Sequence, residues 1–264
     1  MPFLVILFLG IVEGLTEFLP VSSTGHLILA GELVKVPEGS ETFDIVIQLG
    51  AILSVVVLYR AKFGAVLAGL SRRDADAIHF TRNVLIGFLP SAVIGAIAYS
   101  AIKALLTKPI VVAVALLVGG IAMLVIERMA KRITTESVEA MSWRTALGIG
   151  FVQCISMIPG VSRSGATIMG ALLLGVERKT AAEYSFFLAI PTMLGATTLA
   201  LWKARHQLGG DQITDIALGF VISFVVAIVV IRWFLAVVTK RGFAPFAWYR
   251  IIAGGAALVW LLAR

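Results

Sequence analysis

Six apolar runs, at about 42–60, 83–102, 109–127, 181–201, 213–238 and 245–263, are each long enough to cross a bilayer. A hydrocarbon core of roughly 30 Å needs about 20 helical residues at 1.5 Å rise each. Such a chain reads as all-α and integral to a membrane, because a spanning helix satisfies its own backbone polar groups. Composition agrees: 59% of the residues are hydrophobic and 14% charged, whereas soluble domains have roughly 45–50% apolar and about 25% charged residues. The net charge of +7 does not imply nucleic acid, since the basic residues gather in short loops between apolar runs. Cys154 is the single cysteine, which excludes an intrachain disulfide and a CxxC pair; it reads as a small buried apolar residue. The N-terminal stretch lacks a basic leader and a small-residue cleavage site, and Glu13 interrupts it. It reads as retained structure.

Two further apolar stretches, 3–34 and 145–176, are broken at their centres by Ser22-Ser-Thr-Gly25 and Ser162-Arg-Ser-Gly165. Each half is too short to span, so each stretch is expected to enter the membrane, break and return to the same face as a re-entrant helical hairpin. The chain also repeats itself. Gly10-Ile-Val-Glu13 matches Gly150-Phe-Val-Gln153 and Val21-Ser22-x-x-Gly25 matches Val161-Ser162-x-x-Gly165, both at an offset of 140. Leu85-Ile-Gly87-Phe88 resembles Ala217-Leu-Gly219-Phe220, and Pro109 with Gly119-Gly120 resembles Pro245 with Gly254-Gly255. One membrane domain, 1–264, then holds two repeats, about 1–130 and 140–264, each with one hairpin and three spans. Three is odd, so the two repeats are expected to be inverted, an architecture common in transporters.

Loop charge orients this layout. With residues 1–40 outside, Arg60, Lys62, Arg72, Arg73, Arg82, Arg128, Lys131, Arg132, Arg144, Arg178, Lys179, Lys240 and Arg241 are cytoplasmic. Lys35, Lys103, Lys108, Lys203, Arg205 and Arg264 fall outside, the minority that the positive-inside rule requires. Arg163, Arg232 and Arg250 lie within apolar stretches and do not enter that loop count. The two hairpins then enter from opposite faces, and their tips can meet inside the membrane.

The polar residues deep in apolar sequence converge on those tips. Glu13 and Glu17 are four apart and share one helix face; His26 follows Ser23 by three. Ionisable groups at such depth cost about 2.5–3.5 kcal/mol each on insertion scales and are functional by default. Serine-rich helix starts at Ser22, Ser23, Thr24, Ser162, Ser164 and Thr167 present unpaired N–H groups and a positive dipole end, an anion site. Arg163 adds a planar fork for phosphate oxygens. Paired carboxylates do not attract a pyrophosphate themselves, so Glu13 and Glu17 are expected to hold a hard divalent cation, Mg²⁺ or Ca²⁺. His26 can exchange a proton near neutral pH, and Ser23 is a candidate nucleophile beside it. The nucleophile stays open among Ser23, His26 and water. Gln48 either lines the site or bonds between helices.

Glu13-Gly-Leu-Thr-Glu17-Phe-Leu-Pro-Val-Ser-Ser-Thr-Gly-His26 and Pro159-Gly-Val-Ser-Arg-Ser-Gly-Ala-Thr167 resemble the two signature motifs of the bacterial undecaprenyl-diphosphate phosphatase family, the bacitracin-resistance type. The likeness extends over nearly the whole chain, including Phe43-Asp-Ile-Val-Ile-Gln48-Leu-Gly50 and the segment Glu183–Phe187. It implies a divalent-metal-dependent hydrolase that returns polyprenyl pyrophosphate to the phosphate form for cell-wall synthesis. It implies a bacterial cytoplasmic (inner) membrane, with the site open to the outer side. By that match Glu13, Glu17, Ser23, Thr24, His26, Ser162, Arg163 and Thr167 form the functional set. The implied partners are undecaprenyl pyrophosphate and membrane lipids; a homodimer stays an option and nucleic acid is not expected. The membrane phosphatases of the acid-phosphatase superfamily also pair Ser-Gly-His with Ser-Arg segments, but their second histidine is replaced here by Met169.

Blander assignments compete. The tip serines suit plain helix caps, the two glutamates a structural polar network, and Arg163 their counter-ion. His79 and His206 read as solvated loop residues, and the Gly-Gly pairs as close helix packing. An inverted-repeat transporter or flippase for an anionic lipid or solute is the rival function, since broken helices with polar tips also bind anions for transport.

Overall fold

A computed structural model describes residues 1–36, 41–106, 108–130, 133–204 and 210–263. Lys131, Arg132, Arg205, His206 and Arg264 therefore lie outside the described residues. Among those described, the fold is helical throughout: α1 (Phe3–Thr16), α2 (Ser23–Val34), α3 (Glu41–Leu58), α4 (Arg60–Ser71), α5 (Ala75–Ile97), α6 (Tyr99–Leu106), α7 (Pro109–Met129), α8 (Trp143–Gln153), a 3₁₀ turn (Cys154–Met157), α9 (Arg163–Leu173), α10 (Arg178–Ala204), α11 (Gly210–Arg241) and α12 (Ala244–Leu262).

Helices α5, α7, α11 and α12 are long and apolar enough to cross a membrane, and α3 with α4 makes a fifth candidate bent by 73°. The chain is thus a multi-pass helical protein by length and composition. Helix α10 has the length, but Thr180, Glu183, Ser185 and Thr192 along it dilute its apolar character. Two expectations fail here. The stretch at Arg60 and Lys62, read as a loop, is the helix α4; Lys62 pairs with Glu139 at 2.7 Å and lies over the rings of Phe80 and Phe187. His79 belongs to α5, which starts eight residues before the expected span because Asp74 caps it, accepting from Asp76 N and Ala77 N.

Pro109 and Pro245 stand in the first turns of α7 and α12, where a missing N–H costs no bond. These two helices pack closely. A Cβ on Gly120 would sit 2.7 Å from the Ala247 carbonyl, and one on Gly254 would sit 2.7 Å from Leu117 N. Gly255 faces open space and Gly119 meets the Arg250 guanidinium, so only one glycine of each pair lies against the other helix's backbone. In lipid such close approach supplies the dispersion energy that water exclusion cannot. Helix α11 packs on α1 and α3, and α8 on α5. The interior is filled by aromatics, with Phe18 edge-on to Phe186 and Phe234 edge-on to Phe246, both at 5.2 Å. Cys154 is half-buried, its Sγ donating to the Gly150 carbonyl at 3.3 Å.

Candidate active site

Both broken stretches end in the same backbone device. Ser22 (φ 71°) and Ser162 (φ 77°) hold left-handed conformations that non-glycine residues rarely adopt. Each reverses the chain and caps the helix that follows: Ser22 Oγ accepts from Gly25 N at 3.2 Å, and Ser162 Oγ from Gly165 N at 3.0 Å. The two helix starts, α2 and α9, then border one cavity of about 250 Å³. The tips touch directly, since Ser164 Oγ donates to the Leu19 carbonyl at 2.7 Å.

Seven of the expected residues line this cavity: Glu17, Ser22, Ser23, Thr24, Gln48, Ser162 and Arg163. At its centre Arg163 Nη2 donates to Glu17 Oε1 at 2.7 Å, and Ser23 Oγ donates to Glu17 Oε2. Arg163 Nη1 donates to the Ser185 carbonyl at 2.8 Å, and its buried Nε has no partner among the described residues. Arg163 is therefore the counter-ion of Glu17 and still carries one spare donor. Thr167 stands behind the cavity, its Oγ1 2.7 Å from Ser185 Oγ.

Glu13 and His26 are placed differently. Glu13 is fully buried one turn behind Glu17, and among the described residues neither of its carboxylate oxygens has a hydrogen-bond donor. A buried carboxylate left so costs several kcal/mol, and its bare acceptors fit a hard cation. Among the described residues no cluster of three or more His, Cys, Asp or Glu side chains exists, so a cation held by Glu13 and Glu17 needs further oxygens from a bound phosphate and water. His26 turns away from the cavity. Its Nδ1 is 2.8 Å from the Ser22 carbonyl, which fixes the proton there, and Nε2 accepts from the Tyr249 hydroxyl at 2.7 Å.

With this geometry in view, comparison with known proteins is decisive. The model of a family described as bacitracin resistance protein BacA matches residues 6–256. The chain belongs to this family. It is 78% identical over 264 residues to an undecaprenyl-diphosphatase of Rhizorhabdus wittichii, covering 100% of this chain and 99% of that one. It is 65% identical over 257 residues to an undecaprenyl-diphosphatase of Sphingopyxis alaskensis (97% of each). It is 56% identical over 261 residues to one of Novosphingobium aromaticivorans, again covering 97% of each. The likeness read from the two tip motifs is thereby borne out over nearly the whole chain.

Sequence reasoning passed over three residues that this family member brings to the site. Ser185 bonds both Arg163 and Thr167; its only signal was its place in the segment Glu183–Phe187. Tyr249 engages His26. Arg250 is 1% exposed and bonds carbonyls of both tips; it was set aside as one arginine inside an apolar run, although burial at that depth was itself the signal.

Proposed function

We propose that this protein is an undecaprenyl-diphosphatase, hydrolysing a polyprenyl pyrophosphate to the polyprenyl phosphate and inorganic phosphate. The observation that carries the reading is the meeting of Glu17, Ser23 and Arg163 in one cavity between two helix starts, in a chain aligned end to end with relatives of that name.

In this reading the helix-start N–H groups of α2 and α9 and the Arg163 guanidinium hold the terminal phosphate in line with the attacking group. Ser23 is the attacking group best supported, because its hydroxyl already donates to Glu17, which is placed to take its proton. Attack forms an Oγ–P bond and breaks the anhydride P–O bond, and polyprenyl phosphate leaves, taking up the proton that Glu17 received. Water then attacks the same phosphorus, releases inorganic phosphate and returns a proton to Ser23. Glu13 and Glu17 would hold a divalent cation, Mg²⁺ or Ca²⁺, which when bound neutralises phosphate charge. Gln48, Thr24, Ser22, Ser162 and Ser164 shape the anion pocket, with Thr167 orienting Arg163 through Ser185. His26 serves here through its bond to the Ser22 carbonyl, as a brace of the first tip.

The proposed membrane arrangement is six spans with two re-entrant hairpins, α1–α2 and α8–α9, as an inverted repeat with halves near 1–130 and 140–264. Its support is the matched pair of positive-φ serine caps 140 residues apart. The proposed setting is the bacterial cytoplasmic membrane, with the cavity open to the outer side, lipids around the protein and a homodimer as one assembly. Phosphate release from a C15 or C55 prenyl pyrophosphate by the purified protein tests the activity. Release that requires Mg²⁺ or Ca²⁺ is expected. None from well-folded protein, across both substrates and both cations, would turn the reading to transport of an anionic lipid.

A further inference from the structure

Arg250 is among the largest fully buried side chains of the described residues and sits inside α12, a helix apolar enough to span a membrane. A guanidinium has five N–H donors. Here all five have an acceptor, and each is a backbone carbonyl. Nη1 donates to Pro20 O at 3.0 Å and Val161 O at 2.8 Å, Nη2 to Gly160 O at 2.9 Å and Ala115 O at 3.0 Å, and Nε to Leu116 O at 3.4 Å. No carboxylate is among these partners, so the charge is solvated by peptide dipoles alone. Pro20 lies in the first break, Gly160 and Val161 in the second, and Ala115 and Leu116 on α7. One side chain thus ties together both tips and the helix behind them.

The sequence makes room for it. A Cβ on Gly119 would collide with Arg250 Nη2, and one on Gly120 would come within 3.0 Å of Arg250 Cβ. Glycine at 119 therefore seats the guanidinium, whose Nη2, Cζ and Nε are the three atoms nearest to a Cβ there.

We propose that Arg250 is a positioning residue of the phosphate site: by bonding carbonyls of both breaks at once, it sets the register in which the two helix starts face one anion. It does not line the cavity, whereas Gly160, Ser162 and Ser22 on the segments it grips do. Lysine could not substitute, having the charge but only three donors on a single atom. The catalytic consequence rests on the phosphatase reading above; the structural one does not.

Two readouts on the full-length protein in detergent test this. The first is kcat and KM for a C15 prenyl pyrophosphate in Arg250→Met, Arg250→Lys and Gly119→Ala. The second is the distance distribution between spin labels at Leu15→Cys and Ile158→Cys, one beside each tip and both exposed, in a Cys154→Ser background. A lost register misplaces the reacting groups, so kcat falls about 100-fold in both Arg250 variants while KM moves less than about threefold. Gly119→Ala, which touches neither tip, loses about tenfold in kcat by displacing the guanidinium. The label distribution broadens in all three. Recovery by lysine to within about twofold of wild type, or an unbroadened distribution in the folded variants, overturns the proposal. Should Arg250→Met not be recovered as monodisperse protein, Gly119→Ala decides by the same criteria. Should wild type release no phosphate, the phosphatase reading falls and the label distances alone judge the strut.

Discussion

The two broken-helix tips share a backbone and differ in chemistry. Ser22 and Ser162 have the same left-handed geometry and the same cap to a glycine three residues on. At the same offset of 140, Glu13 faces Gln153, Glu17 faces Met157, Ser23 faces Arg163 and His26 faces Ala166. Both acids and the histidine thus belong to the first tip, and the cation to the second. Two identical tips would bring like charges together inside a low-dielectric interior. Exchanging one set of side chains makes them complementary, and Arg163 reaches across to Glu17. The residues behind the tips differ too: Gln153 Nε2 donates to Ser91 Oγ at 2.8 Å while its Oε1 stays without a donor among the described residues, whereas Ser223, which stands to Ser91 as Gly219 does to Gly87, donates to the Ile47 carbonyl at 2.7 Å and neither Glu13 oxygen finds a donor among the described residues. In the proposed reading the shared geometry supplies two helix starts that face one anion, and the positions that differ supply the charged groups.

Removing the charged partners should have the largest effect. Glu17→Ala and Arg163→Ala are each expected to lower kcat/KM for a C15 prenyl pyrophosphate about 1,000-fold, on the scale of losing one transition-state donor in a dry site. Glu13→Gln makes the first tip resemble the second. It should lower kcat about 100-fold and abolish stimulation by Mg²⁺ or Ca²⁺, while the thermal midpoint measured without divalent cations stays or rises, because an unpaired carboxylate has gone. Gln153→Ala removes only a structural bond: a stability loss of about 1 kcal/mol with kcat within about threefold is expected. A loss as large as that of Glu13→Gln would mean the second tip is chemically active at that position too. The smallest effects belong to the caps. Ser22→Ala and Ser162→Ala should each cost about 1 kcal/mol, and the glycine replacements only a few tenths, since glycine adopts φ near 70° freely. Unequal costs at the two positions would show that the backbone device is not shared.

Much of this was legible in sequence because the periodic and positional signals are strong. Long apolar runs set the helices α7, α11 and α12 to within a few residues, and the serine-rich breaks marked both tips. What escaped depends on three-dimensional partners. Helix α4 carries Arg60 and Lys62 at its start, so charge spoke for a loop; its Lys62 is held by Glu139 and two aromatic rings that lie far away in sequence. His26 bonds Tyr249 on α12, a partner 223 residues away that its spacing from Ser23 could not announce. Arg250 shows the same lesson, because its five acceptors lie on segments more than 80 residues distant. No local pattern announces them.

Whether the two tips act as one site is decided by a double-mutant cycle on kcat/KM for a C15 prenyl pyrophosphate, using Glu17→Gln, Arg163→Gln and the double variant, each verified as folded. Residues that act as a unit are strongly non-additive. The double variant is therefore predicted to be within about threefold of the weaker single variant. Losses that multiply, leaving a coupling below about 0.5 kcal/mol, would contradict it.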